Sequence, residues 1–257
     1  MGSENSKSPS WWFFDLDDTL HEFRKASSST VDITLQLIIQ QQSTQQPTPQ
    51  EDSVTFADLK AAYSKVLEET TSSAFTDGKT SHEYRAERSK RTLNALNLSP
   101  TPEQTTEILA MYEKTLMQHL ILKPGAIPLL KSLKQQGKHV AIVTEGPQDA
   151  QQRTVAALRL EPHFDHLITT NAFGMAKVDG LFERAIEVLG VEGREVVMMG
   201  DSWDRDAVPA GKVGIRCVWH AEGSGEKERI VEFGGEGEER VVVVDSLEKL
   251  RGMVEGV

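Results

Sequence analysis

The sequence predicts an α/β protein: a parallel sheet with helices on both faces, interrupted after its first strand by an all-helical insert. Three observations carry this prediction. From Lys123 onward, short apolar runs alternate with helix-length stretches, the signature of a parallel sheet buried on both faces. At the other end of the chain, Trp11-Trp12-Phe13-Phe14 reads as one more buried strand that surfaces at Asp15. Between them, from about His21 to Leu122, the periodicity is helical and no strand pattern is convincing. The expected domains are therefore a core of residues 8–20 and 123–257, a helical insert of 21–122 and a flexible tail of 1–7.

In the insert, Ser29 to Gln42 is the first expected helix. Phe56 to Glu69 is the second, with Phe56, Leu59, Tyr63, Val66 and Leu67 on one side. Glu83 to Leu96 is the third. Thr101-Pro102-Glu103-Gln104 is a capping box with proline at the first helical position, and it opens a fourth. Gln40 to Ser53 is rich in Gln, Ser, Thr and Pro and is expected to be a flexible surface connection.

Beyond the insert, Pro124 to Gln136 is a helix stopped by Gly137, and His139 to Val143 is a buried strand. Pro147 to Leu160 is helical and His166 to Thr169 a short strand. Leu181 to Leu189 is a helix stopped by Gly190, and Glu195 to Met199 another buried strand. Ile215 to Trp219 and Val241 to Val244 complete the strands. The acidic, Gly-rich segment Glu226 to Arg240 is expected to be a helix followed by a mobile loop.

At 257 residues the chain suits one large domain or two modest ones. Its net charge of -11, with no basic stripe, argues against a nucleic acid polymer as partner. Cys217 is the single cysteine, so no intrachain disulfide forms, which suits a reducing, cytoplasmic or nuclear compartment. No apolar run approaches a membrane span. Residues 1–6 match the N-myristoylation pattern; a plain polar tail is the preferred reading, because one acyl chain anchors marginally and Lys7 is the only basic residue beside it.

Asp15-Leu16-Asp17-Asp18-Thr19-Leu20 is the most informative segment. Asp15, Asp17 and Asp18 repel one another unless a cation or a pKa shift relieves them. A calcium loop is excluded, since its sixth and twelfth positions hold Leu20 and Ala26 rather than Gly and Glu. In an open parallel sheet, ligands bind beyond the carboxyl ends of the strands. Those ends supply Asp15 and Asp17, then Thr144 and Glu145, then Asp201 and Asp206, with Lys177 in the loop Gly174-Met175-Ala176-Lys177. Carboxylates, a hydroxyl and an ammonium are the inventory for metal-assisted phosphoryl transfer.

On these residues the chain resembles the haloacid dehalogenase superfamily, in its phosphatase branch with an α-helical cap and most like nucleotidase-type members. Asp15 to Leu20 match the first motif, Thr144 the second, Lys177 the third, and Gly200-Asp201-Ser202 with Asp206 the fourth. The resemblance implies a Rossmann-like core and Mg²⁺ held by Asp15, the Asp17 carbonyl, Asp201 and Asp206. It implies hydrolysis of a small phosphorylated metabolite, a nucleoside monophosphate or a sugar phosphate, through an aspartyl-phosphate on Asp15. Asp17 then serves as general acid and base, while Thr144, Glu145 and Lys177 lie at the substrate phosphate. Members that displace halide have no acid at the Asp17 position, so Asp17 favours ester hydrolysis.

Three positions depart from the pattern. Glu145 stands where relatives carry Asn, Val178 where they carry Pro, and Arg205 where they carry Asn; Arg205 is a candidate partner for Glu145 or Asp204. An ionised Glu145 repels phosphate unless it turns away or meets a cation. The alternatives are a catalytically weakened member that binds a phosphorylated ligand or a protein, a phosphomutase, or a haloacid dehalogenase. His21, Glu22, Arg24 and Lys25 follow the first motif and are expected at the site entrance or in a solvated linker.

Overall fold

In the computed structural model, residues 9–45, 54–71, 74–235 and 237–256 are described. The 1–7 tail, the pattern at 1–6 and residues 46–53 lie outside the described residues. The chain opens with β1 (Trp11–Phe14) and then runs through four helices, α1 (Phe23–Gln45), α2 (Phe56–Thr71), α3 (Ser81–Asn94) and α4 (Pro102–His119). Next come α5 (Ala126–Gln135), β2 (His139–Thr144), α6 (Gln148–Ala157), β3 (His166–Thr169) and a single turn, α7 (Thr170–Phe173). They are followed by α8 (Leu181–Leu189), β4 (Val196–Gly200), α9 (Val208–Lys212) and β5 (Arg216–His220). The chain closes with β6 (Glu228–Glu232), β7 (Glu238–Val244) and α10 (Leu247–Glu255).

The described strands form a seven-stranded sheet in the order β3-β2-β1-β4-β5-β7-β6. Every pairing is parallel except the edge pair of β6 and β7. Successive side chains of a strand point to opposite faces, and β1 divides accordingly. Trp12 and Phe14 pack with α5, α6 and α10 on one face, while Trp11 and Phe13 pack with α8 and α9 on the other. This two-sided burial is why the strand is aromatic throughout rather than alternating with polar residues.

The helical segment has its own core, built from Ala26, Val31, Leu35 and Ile38 of α1, Leu59 of α2, Leu93 of α3 and Ile108, Tyr112 and Leu116 of α4. Capping boxes open α3, with Thr80 and Glu83, and α4, with Thr101 and Gln104. The start and end of the segment run side by side. The Glu22 amide donates to the Ile121 carbonyl (2.9 Å) and the Lys123 amide to the Leu20 carbonyl (2.9 Å).

Two expectations are corrected. Glu226 to Arg240 contains an antiparallel hairpin of β6 and β7 instead of a helix and loop. Val231 is buried there, Ile230 is exposed, and the Arg229 guanidinium lies 4.3 Å from the Trp203 ring centroid. An edge strand of this kind takes its structure from its neighbour rather than from local propensity. Residues 40–45 continue α1 rather than opening a connection. Among the described residues, no helix is long and apolar enough to cross a membrane.

Candidate active site

Parallel register brings three strand ends level. Phe14 pairs with Ile142 on one side and with Met199 on the other. The chain therefore leaves the sheet at Asp15, Thr144 and Asp201 around one crevice. Strand order reverses at β1, since β2 and β4 flank it, and such a reversal opens a crevice in a parallel sheet.

Lys177 lies at the centre of this crevice. It sits on a short turn ahead of α8 and is buried. Its Nζ donates to Asp15 Oδ1 (2.6 Å) and to Asp206 Oδ1 (2.6 Å). Burial alone lowers the ammonium's pKa; the charges of Asp15 and Asp206 outweigh it and hold Lys177 above the ordinary lysine value. Thr19 Oγ1 donates to the other Asp15 oxygen (3.2 Å). Burial raises the Asp206 carboxyl, with Lys177 opposing and Asp15 adding to the rise. Asp206 Oδ2 also accepts from the Ser202 amide (3.0 Å).

Gly200 makes that placement possible. A Cβ there would stand 2.2 Å from Asp206 Oδ2, so the last residue of β4 has to be glycine for the carboxylate to fold back over it. Asp201 is half-buried. Burial raises its pKa, Asp15 adds to the rise, and Arg24 opposes it. The Arg24 guanidinium donates to Asp201 Oδ2 (2.9 Å) and pairs with Asp18 (3.2 Å).

Asp17 is held at both oxygens. His21 Nε2 donates to Oδ1 (2.8 Å) and Gln151 Nε2 to Oδ2 (3.2 Å). Gln151 also donates to the Glu145 carbonyl (3.0 Å). It crosses directly over Gly146, where a Cβ would meet its amide nitrogen at 2.6 Å. The Thr144 hydroxyl is buried at the end of β2 without a partner. A buried hydroxyl left unsatisfied is costly, so it stands ready for a ligand oxygen. The Glu145 carboxylate has turned to Arg205 (3.0 Å), and that pairing offsets its charge.

The structure thus brings together Asp15, Lys177, Asp201 and Asp206, with Asp17, Thr144 and Glu145 around them. Val178 is exposed beside Lys177. His21, expected at an entrance or in a linker, is fully buried beneath Asp17. Asp18, one of the three clustered aspartates, has φ 60° and accepts from the Arg24 amide (2.9 Å). Gln151 carries no signal in the sequence beyond its place in the helix after Thr144; only the fold directs it to Asp17.

The acidic cluster suits a divalent cation. One oxygen each of Asp15, Asp201 and Asp206 lie within 4.8 Å of one another. Hard cations take oxygen ligands of this type. Positive charge from the side chains is already close, on Lys177 and Arg24, yet three carboxylates still outnumber two cations.

Comparison with known proteins identifies the family. Residues 12–214 match the haloacid dehalogenase-like hydrolase family. The chain is 28% identical over 128 residues to glyceraldehyde 3-phosphate phosphatase of Pyrococcus abyssi, 49% of this chain and 54% of that one. It therefore spans about half the length of the first curated relatives it matches. A longer alignment, 23% identical over 210 residues and 80% of each chain, is to N-acylneuraminate-9-phosphatase of Mus musculus. A HAD phosphatase structure from Thermococcus onnurineus superposes with a TM-score of 0.63 at 22% identity, over 96% of this chain and 98% of that one, which is a likeness of fold. With four motifs meeting in one crevice and the family matched across most of the sequence, the chain belongs to the haloacid dehalogenase-like hydrolases.

Proposed function

We propose that the chain is a Mg²⁺-dependent phosphohydrolase that removes phosphate from a small phosphorylated metabolite. The observation that carries this reading is Asp17: a carboxylate two residues beyond Asp15, held at both oxygens, at the edge of the crevice. An alkoxide leaving group needs a proton and a halide does not, so an acid in this place supports ester hydrolysis over dehalogenation. Phosphatases among the relatives point the same way.

Asp15 attacks phosphorus through a carboxylate oxygen and forms an aspartyl-phosphate. Asp17 gives its proton to the leaving oxygen, then takes one from the water that hydrolyses the intermediate. His21 and Gln151 hold it in position for both steps. Lys177 and the Thr144 hydroxyl bind the transferring group, where they oppose the charge that develops on its oxygens. Asp15, Asp201 and Asp206, with the Asp17 carbonyl, hold Mg²⁺ in this reading, and the ion supplies positive charge for the phosphoryl oxygens. Glu145, neutralised by Arg205, borders the phosphate without repelling it. Residues 21–122 act as a cap over the crevice, hinged where their two ends run side by side. The site of action is a reducing compartment, the cytoplasm or nucleus.

Phosphate release from p-nitrophenyl phosphate with Mg²⁺ present tests the reading. Asp15→Asn is expected to lose at least about 10³-fold in kcat. Equal activity in the two proteins removes Asp15 as nucleophile.

A further inference from the structure

Among the described residues of the helical segment, Arg88 of α3 is the one Lys, Arg, Asp or Glu that is buried. Its side chain is 8% exposed. Among the described residues, no carboxylate comes within ion-pair distance of it. Its nearest polar neighbours are hydroxyls at the outer limit of hydrogen bonding, Thr70 Oγ1 and Tyr63 Oη, each at 3.5 Å. Its guanidinium also lies 5.9 Å from the Tyr63 ring centroid. A buried guanidinium without a counter-ion is expensive unless an anion arrives.

The neighbouring cations account for the local acids. Arg85 pairs with Glu113 (3.1 Å) and lies 4.9 Å from the Tyr112 ring centroid. Arg153 takes the second oxygen of Glu113 (3.2 Å) and also Asp149 (3.0 Å). Arg91, one turn beyond Arg88, pairs with Glu69. Arg85 and Arg153 thus share the two carboxylates Glu113 and Asp149, and Arg88 pairs with neither.

Arg88 also lines a cavity that begins at the proposed acid. This space of about 120 Å³ lies between the helical segment and the core, and its walls include Asp17, Gln151, Phe75, Tyr84, Tyr112 and Arg88. If Asp17 protonates the leaving oxygen, the departing alcohol occupies this cavity. Its lining then includes Arg88, the guanidinium without a carboxylate, beside Tyr84, Tyr112 and Arg85, with Glu145, held by Arg205, also on the lining.

We infer that Arg88 binds a second anionic group on the substrate, so that the enzyme prefers phosphate monoesters whose alcohol carries an oxyanion, a carboxylate or a further phosphate. This rests on the phosphohydrolase reading above and adds the class of alcohol to it. The size of the cavity restricts that alcohol to a small molecule. A guanidinium such as that of Arg88 donates to two oxygens side by side, which a lysine does not reproduce.

Three esters test it in the full-length protein with Mg²⁺: 3-phosphoglycerate, glycerol 3-phosphate and 1,3-propanediol bisphosphate. The first two differ by a carboxylate against a hydroxymethyl group, and the third offers phosphate as the second anion. The wild type is expected to favour at least one anionic ester over glycerol 3-phosphate by about ten-fold or more in kcat/KM. Whichever anionic ester is favoured identifies the oxyanion. Arg88→Met is expected to erase that preference through KM, and Arg88→Lys to retain part of it. Should Arg88→Met fail to fold, the wild-type ratio and Arg88→Lys decide. Equal kcat/KM for all three esters in the wild type, or a preference that survives in Arg88→Met, overturns the role of Arg88 and leaves the phosphohydrolase reading standing. Failure to release phosphate from any of the three, and from p-nitrophenyl phosphate, overturns that reading and this inference with it.

Discussion

The two walls of the crevice treat charge in opposite ways. On the core side, Lys177 is buried between Asp15 and Asp206 at 2.6 Å from each, and Glu145 is matched by Arg205. On the helical side, Arg85 shares Glu113 with Arg153, which reaches across from α6 of the core and also takes Asp149, while Arg88 is buried with no carboxylate at ion-pair distance among the described residues. Pre-paired groups define a site whose geometry exists before the substrate arrives. An unmatched charge marks a site that a ligand completes. In the proposed reading, the core carries the reaction type and the helical segment the choice of substrate.

The largest expected effect probes the core wall. Asp17→Asn removes the proposed proton donor, so hydrolysis of alkyl phosphates should fall by about 10²- to 10⁴-fold. In kcat/KM, which is set before the shared aspartyl-phosphate is hydrolysed, the loss on p-nitrophenyl phosphate should be much smaller, since that leaving group departs without help. Equal losses in kcat/KM on the two kinds of ester count against Asp17 as the acid.

Lys177→Met strands two buried carboxylates against each other. It should cost about 3–5 kcal/mol of stability, read from chemical denaturation. Arg88→Met should have the opposite sign in the same experiment: removing an unmatched buried charge leaves the protein as stable as wild type or about 1 kcal/mol more stable. If both variants lose stability equally, the contrast between the walls is wrong.

The smallest effect is local. Thr80 caps α3 through its side chain and the reciprocal Glu83 contact, so Thr80→Ala should cost about 1 kcal/mol. Amide exchange should rise in the first turn of α3 and stay unchanged in the sheet. A uniform rise across both regions would show that the helical segment and the core unfold as one unit.

Much of the framework was legible in the chain. β3 at His166–Thr169 and α8 at Leu181–Leu189 fall where the apolar runs and the Gly190 stop predict them. The capping box at Thr101 opens α4 as expected. Asp15, Thr144 and Asp201 were readable because polar groups at strand ends interrupt apolar runs abruptly. β6 was not readable: Glu228 to Glu232 holds only Ile230 and Val231 between charged residues and has no strand signature without β7 beside it. His21 was not readable either. A polar residue in a linker is ordinarily solvated, and only the crossing of the segment's two ends encloses this one.

By itself the sequence determined the parallel sheet, the helical insertion and the acids at the strand ends, because hydrophobic period, caps and strand-terminal residues are local properties. Tertiary structure alone decided that Lys177 bridges Asp15 and Asp206, that Gln151 and His21 grip Asp17, that Glu145 turns to Arg205 and that Arg88 meets no carboxylate among the described residues. Each of these depends on side chains brought together from distant segments, or from the same turn, by how the backbone is placed. Charge compensation at a buried site is a sum over neighbours in space, and the linear order of residues does not contain that sum.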